Sequence, residues 1–415
     1  MERHVGDHAI GKTAEGAPRG RSSGLPRPVS TAVLVWCALA VVSSLYVTIP
    51  LTPVFADRFG VPPEAAAWTG SAFSLAYAIG LPVWGALAGR FGRKPVIVAG
   101  LLALAVLSPP VGLADSLPAL TAHRALQGFA ASGFAPAALA YAGEMYPPGR
   151  SAAVVGLITA GFMSAGVAGQ LYAGVIERHL GWPYVFHLLG GVYLVSALCI
   201  GGWLPAGGSA RKEARVLETF RRFVPLLKQK GLRACYLIAG TLLLAFVGMY
   251  AGLEAVLTRP PTALGADGML LVRAAGLPGV LLSPLAGRLA ARFGPRRVLR
   301  AGLAAAATGL AAIAVAVVFP AVAAPAAAAM SLAAAAGIAI AIPPLIDAIG
   351  RLGGEARAAA VTLYTFILFI GATIGPLAAL WTLRAAGHGF AAFALLAGVM
   401  TAAWALTRRI PDAAF

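Results

Sequence analysis

The sequence predicts an all-α integral membrane protein: twelve transmembrane helices in two pseudo-symmetric six-helix bundles. Three observations predict it. Apolar residues make up 59% of the 415 residues and charged residues only 11%, against roughly 25% charged in ordinary soluble domains. Many apolar runs approach the ~20 residues that carry a helix across a bilayer. In lipid such runs are helices, because the backbone must satisfy its own polar groups. Finally, a basic, glycine-rich loop, Gly85-Ala-Leu-Ala-Gly-Arg90-Phe-Gly92-Arg93-Lys94-Pro95, returns 202 residues later as Gly287-Arg-Leu-Ala-Ala-Arg292-Phe-Gly294-Pro-Arg296-Arg297. A repeat at close to half the chain length reads as two related halves.

In chain order, residues 1–29 are polar and rich in Gly, Pro and Arg, and read as a flexible cytoplasmic tail. A basic stretch before apolar residues 31–42 has the outline of a signal peptide. The apolar run goes on too far and lacks a cleavage site, so it is read as an uncleaved first span. The N-terminal bundle, 30–204, holds spans at 30–50, 67–88, 96–113, 119–141, 152–175 and 184–204. A basic cytoplasmic linker follows at 205–234. Part of it can form an amphipathic helix on the inner leaflet through Val216, Phe220, Phe223, Val224 and Leu227, or it can be a solvated linker. The C-terminal bundle, 235–407, holds spans at 235–256, 268–288, 298–319, 323–348, 358–381 and 389–407, and 408–415 form a short cytoplasmic tail.

The orientation follows from counting charges. Of the 32 Lys and Arg residues, 26 fall in the tails and in alternate loops, and four fall in the other loops: Arg58, Arg178, Arg259 and Arg384. That asymmetry puts both termini in the cytoplasm. It also accounts for the net charge of +17 without a nucleic-acid partner. Cys37, Cys199 and Cys235 lie in or beside apolar runs and read as small apolar residues with no disulfide framework. The six histidines are scattered and show no metal-ligand spacing, so neither metal nor cofactor is expected.

A charge inside the bilayer costs at least ~2.5–3.5 kcal/mol on insertion scales, so an intramembrane ionisable residue is a functional candidate by default. The clearest are Arg124 in span four, Glu254 near the outer end of span seven and Arg273 near the outer end of span eight. An arginine stays protonated. Arg124 can hold an anionic substrate or tune a nearby acid; alternatively it bonds carbonyls and locks two helices. Glu254, shielded from water, suits a group that takes and releases a proton each cycle. Alternatively it forms a neutral structural pair with Arg273. Gln127, Gln170, Tyr141 and Tyr250, with Tyr77, Tyr364 and Trp84, are candidates to line a cavity, although Tyr and Trp also favour membrane interfaces. Gly161, Gly166 and Gly169 in span five, and Gly371 and Gly375 in span eleven, let helices approach closely. Arg90, Arg93, Arg292, Arg296 and Arg297 are expected to bond helix C-termini and acids of the partner half; alternatively they serve topology alone.

These features together resemble the major facilitator superfamily. The family loop pattern Gly-x-Leu-x-Asp-Arg-x-Gly-Arg-Arg/Lys is met by Gly85, Leu87, Arg90, Gly92, Arg93 and Lys94. It departs at Gly89, and the second copy departs with Ala291. The family Asp helps hold the outward-open state, so its absence bears on that latch and not on the fold. Arg124-Ala-Leu-Gln127-Gly128 resembles the Arg-x-x-x-Gly motif of proton-coupled members. The span-five glycines and Gly371-x-x-x-Gly375-Pro376 resemble the signature of drug:proton antiporters, with Val167 where Pro is usual. The run from Arg124 to Gln170 is similar to the efflux branch that includes arabinose-type and multidrug exporters.

The resemblance implies the major facilitator fold in the plasma (inner) membrane, as a monomer. It implies a secondary transporter that works by alternating access and exports a small organic compound, whether drug, sugar or metabolite, in exchange for protons. The expected partners are that small-molecule substrate, protons and membrane lipid. The pattern Gly-x-x-x-x-Gly-Lys-Ser/Thr is met by Gly6-Asp-His-Ala-Ile-Gly11-Lys12-Thr13, but in the short polar tail, with no strand-forming run before it to build a nucleotide-cradling loop, so ATP is not the expected energy source. An importer or a sensor on the same fold is an alternative. An integral membrane enzyme would want clustered acids or histidines, and the sequence has none.

Overall fold

A computed structural model of the chain describes residues 27–146, 150–205, 216–283 and 285–415. Every regular element among them is helical. Ten helices are each long and apolar enough to cross a membrane. The eighth span is broken: Ala266–Ala275, Leu277–Leu281 and Leu285–Phe293, bent by 48° before the last piece. The fourth is also divided, into Leu117–Ala131 and Phe134–Met145. Counting each as one span gives the twelve that the apolar runs predict.

Most spans are longer than the sequence expectation. The first runs through Arg27–Tyr46 and Thr48–Phe59, the fifth through Arg150–Leu180 and the tenth through Pro320–Leu352. Prolines inside them, such as Pro53, Pro82 and Pro325, do not end the helices. Neighbouring helices and local adjustments re-satisfy the backbone that a proline frees.

The two halves share one packing scheme. Span one packs on five, two on four and three on six; seven packs on eleven, eight on ten and nine on twelve. The repeated loop repeats in three dimensions as well. Gly92 and Gly294 have φ of 93° and 87°, a conformation that suits glycine because it has no Cβ. Lys94 Nζ donates to Leu204 O at 2.5 Å, and Arg296 Nη2 donates to Thr407 O at 3.3 Å. Each thus caps the carbonyl end of the last span of its own half. Arg90 lies over Phe91 at 5.3 Å, and Arg292 over Phe293 at 5.2 Å. The acids these loops meet belong to their own half, where the partner half was expected: Arg93 pairs with Glu144 at 3.1 Å and Arg296 with Asp412.

The linker is shorter than expected. A helix over Val216–Lys228 is followed at once by span seven, Lys230–Leu257. Residues 206–215 and the side chains of Val216 and Phe220 lie outside the described residues, as do residues 1–26 of the tail. This helix packs against spans two, seven and eleven, touching both halves. It buries Phe223 and Leu226 and leaves Val224 and Leu227 exposed. The C-terminal tail also packs down, with Ile410 and Ala414 buried and Arg351 Nη1 donating to Phe415 O at 3.1 Å.

Small residues set the closest helix contacts. A Cβ on Gly169 would lie 2.6 Å from Ser43 O of span one, and one on Gly161 3.0 Å from Val35 O. Gly371 and Gly375 abut the backbone of Gly240, Leu244 and Gly248 of span seven in the equivalent place of the second half. Val at 169 or 371 therefore overpacks a backbone-to-backbone contact, at a cost of about 1–3 kcal/mol. The expected result is a lower thermal midpoint for purified Gly169→Val and Gly371→Val in detergent. Gly202→Ala, where a Cβ meets nothing within 4 Å, should leave the midpoint unchanged or raise it. Equal behaviour of all three would contradict this packing.

Candidate functional site

Between the halves lies a cavity of about 620 Å³. Spans one, two, four and five line it from one half, and seven, eight, ten and eleven from the other. It reaches the face that carries the repeated loops and the C-terminus, here called the basic face. Its walls there include Arg93, Ile346 and Ala359. The lining is mostly apolar, with Leu81, Leu139, Phe162, Met163, Ile338 and Ile342 prominent. Polar residues in the wall are Thr159, Thr362 and Thr365, with Tyr46, Tyr77 and Tyr364. The Tyr364 hydroxyl is buried and makes no hydrogen bond within the protein. Among the described lining residues the only charge is Arg93, engaged with Glu144 by Nε and Nη2 at 3.1 Å each. Among the described residues no carboxylate lines the cavity.

Two aromatic pairs roof it, and each joins one half to the other. Tyr77 of span two stacks on Phe369 of span eleven at 4.0 Å, with rings 16° apart. Tyr46 of span one meets Phe246 of span seven edge to face at 5.8 Å. Beyond the roof the halves close against each other. Ser71 Oγ donates to Thr373 O at 2.8 Å, and the ion pairs Glu64–Arg384 and Arg178–Asp267 bridge the halves at the opposite face. The molecule is therefore open toward the basic face and shut at the other.

Of the residues singled out in the sequence, Gly85, Arg93, Tyr77 and Tyr364 line this cavity. Arg124 and Gln127 do not. Arg124 is fully buried inside the N-terminal bundle. Its Nη1 donates to Gln127 Oε1 at 2.7 Å and its Nη2 to Ser44 O at 2.6 Å. Gln127 Nε2 passes the chain on to Ser108 Oγ at 2.8 Å. The guanidinium also lies 4.4 Å from the Phe73 ring centre and 5.6 Å from that of Phe186. Arg124 thus ties spans one, two, three and six to span four. The carbonyl it reaches is Ser44 O, and it stands off the cavity wall in this state. Its charge is met by carbonyl dipoles and ring faces, which favour a cation.

Tyr141 donates to Pro205 O at 3.0 Å, at the end of span six. Trp84 Nε1 donates to Phe129 O at 2.7 Å. Glu254 and Arg273 form a buried ion pair at the far end of the molecule from the cavity mouth. Gln170 and Tyr250 are buried, Gln170 Nε2 donating to Gly166 O at 2.6 Å and the Tyr250 hydroxyl lying against Gly276. Sequence reasoning missed Tyr46, Phe246 and Phe369. Tyr46 and Phe246 are 200 residues apart, close to the 202-residue offset of the loops, so the internal repeat held a signal for that pair. Phe369 had none, because stacking partners on different halves share no register in the chain.

The comparisons agree with this architecture. The family model of the Major Facilitator Superfamily matches residues 34–272, more than half of the chain. YybF of Bacillus subtilis, an uncharacterized transporter of this type, is 27% identical over 256 residues, which are 61% of this chain and 63% of that protein. The tetracenomycin C resistance and export protein of Streptomyces glaucescens is 28% identical over 202 residues, 48% of this chain and 37% of that one. The match therefore spans less than two thirds of either relative. A solved structure of a bacterial homologue of the human lysosomal transporter Spinster, inward-facing and unoccupied, shares the fold. Its TM-score is 0.66 at 19% identity, over 94% of this chain and 95% of that one. With its two six-span halves around a shared cavity and a family match over most of the first half and into the second, the chain is a member of the Major Facilitator Superfamily of transporters.

Proposed function

We propose that the protein exports a small, largely apolar organic compound across the plasma (inner) membrane in exchange for protons. The two halves rock about the central cavity, which sits near mid-membrane at the interface of the repeats. The observation that carries this reading is the cavity itself: both halves build it, it opens at one face only, and thin contacts close it at the other. The positive-inside rule makes the basic face cytoplasmic, so the state described is open to the cytoplasm. The lining suits an uncharged or anionic aromatic compound. It offers ring faces and threonine side chains, and among the described residues no carboxylate to hold a cation. Export is favoured over import by the relative named for resistance and export. The family default is a monomer.

An efflux screen in a host stripped of its own pumps tests this. Neutral and anionic aromatic compounds should be exported in preference to cations, and a protonophore should abolish the export. An aromatic contact is worth about 0.5–1.5 kcal/mol, so Phe369→Ala and Phe246→Ala should weaken apparent affinity up to about tenfold. If no compound in a broad panel moved under an imposed pH gradient, the exporter reading would fall.

The sidedness has its own test. In a background without Cys37, Cys199 and Cys235, Thr159→Cys and Ala339→Cys, which replace cavity-wall residues, should react with a membrane-impermeant thiol reagent added to the cytoplasmic side. Reaction mainly from the external side would overturn the assignment.

A further inference from the structure

Four residues that stand far apart in the sequence, Gln170, Tyr250, Glu254 and Arg273, meet along one seam between the halves. Phe246, Tyr250 and Glu254 are spaced by four on span seven and so share one face of the helix. Phe246 lines the cavity, and its ring meets Tyr250 at 5.2 Å. Glu254 follows one turn further on, buried and paired with Arg273 of span eight. Span five runs along the same line. A Cβ on Gly166 would lie 2.7 Å from the Phe246 ring, and one on Gly174 would lie 3.2 Å from Arg273 Nη1. Gln170 stands between those two glycines on the same face, fully buried. Its Oε1 has no partner within the protein, and neither has Arg273 Nε. Buried polar atoms of this kind are ordinarily completed by water. The seam is thus a polar thread from the cavity roof to a buried carboxylate, in an otherwise apolar interface.

The groups around Glu254 come from every neighbouring element. Span eight supplies Arg273, and span five supplies Glu177, which acts on it electrostatically. Its own span supplies Tyr250, whose hydroxyl faces Ser331 of span ten. Two residues earlier, a Cβ on Gly252 would meet Phe393 of span twelve and Ala379 of span eleven. Arg178 and Asp267 close the outer edge against each other.

We infer that Glu254 is the proton-carrying group of this protein, with Arg273 as its counter-ion and with Tyr250 and Gln170 linking it to the cavity. This rests on the proton-driven exchange proposed above and assigns its site. The proton adds to a Glu254 carboxylate oxygen and breaks the ion pair with Arg273; its release restores the pair, and no other bond changes. In the state described, Gly174 of span five lies against Arg273 and Glu177 acts on Glu254, and the seam is the route proposed from the pair to the cavity. When the halves tilt the other way, the glycine contacts of span five with Phe246 and Arg273 part, and the pair faces the other side. One carboxyl thereby meets one face of the membrane at a time. A purely structural ion pair has no need to sit on the surfaces that separate, since such pairs can often be replaced by apolar packing at little cost in stability.

Infrared difference spectra of the full chain in lipid nanodiscs, taken between acid and alkaline pH, test the assignment without any transported compound. A buried-carboxyl band that titrates in the wild type should be missing from Glu254→Gln. Because that variant leaves Arg273 unpaired, the neutral Glu254→Gln/Arg273→Gln pair serves as a second variant; it should fold with a near wild-type thermal midpoint and also lack the band. Identical titration of wild type and either variant would overturn the assignment. Failure of the exporter reading shows separately, as absence of flux under a pH gradient.

Discussion

In lipid a backbone N–H or C=O finds no partner outside its own segment or its protein neighbours, and each one left unpaired is costly. That constraint makes every regular element described here a helix. It also leaves little hydrophobic drive to bring one helix against another, because the surrounding chains are as apolar as leucine. Close approach then has to come from shape. Gly161 and Gly169 against span one, and Gly371 and Gly375 against span seven, are among the places where backbones come near enough for dispersion to hold them.

The same economy governs the polar groups. Arg124 is buried in the first half and its charge is absorbed by Gln127, by Ser44 O and by the faces of Phe73 and Phe186. Glu254 and Arg273 are buried in the second half and pair with each other, with Arg273 Nε left over. The two halves resemble each other in their loops and in their helix pairing but differ in where they keep charge. The first half uses a cation held by dipoles and rings. The second uses a pair that a single proton can unmake.

Closure of the opposite face is thin by comparison. One buried hydrogen bond, two ion pairs and two aromatic contacts join the halves there, beside the packing of span two on eleven and of span five on seven and eight. Exposed ion pairs are individually worth little, about 0–1 kcal/mol, and an aromatic pair about 0.5–1.5 kcal/mol beyond its buried area. Contacts of that size can be exchanged for an equivalent set at the other face. The loops on the basic face carry no carboxylate at Gly89 or Ala291, and their acids, Glu144 and Asp412, stay within their own halves. The two halves are accordingly apart on that side in the state described.

Much of the fold was legible in the chain, because the bilayer converts composition into geometry. Run length gave the spans, charge asymmetry gave the expected orientation, and the repeated loop gave the two halves. The span ends were less legible, since a proline that would end a helix in water is tolerated where neighbours cover it. The site was legible only in fragments. Sequence alone singled out Arg124, Gln127, Gln170, Tyr250, Glu254 and Arg273 by their cost in lipid or their polarity, but it could not sort them. Tertiary structure did the sorting: it put Arg124 and Gln127 inside one bundle, gathered Gln170, Tyr250, Glu254 and Arg273 onto the seam between bundles, and built the cavity roof from Tyr46, Tyr77, Phe246 and Phe369. The physical reason is that cost in a membrane depends on residue type and depth, both written along one helix, whereas a cavity depends on which faces of different helices meet.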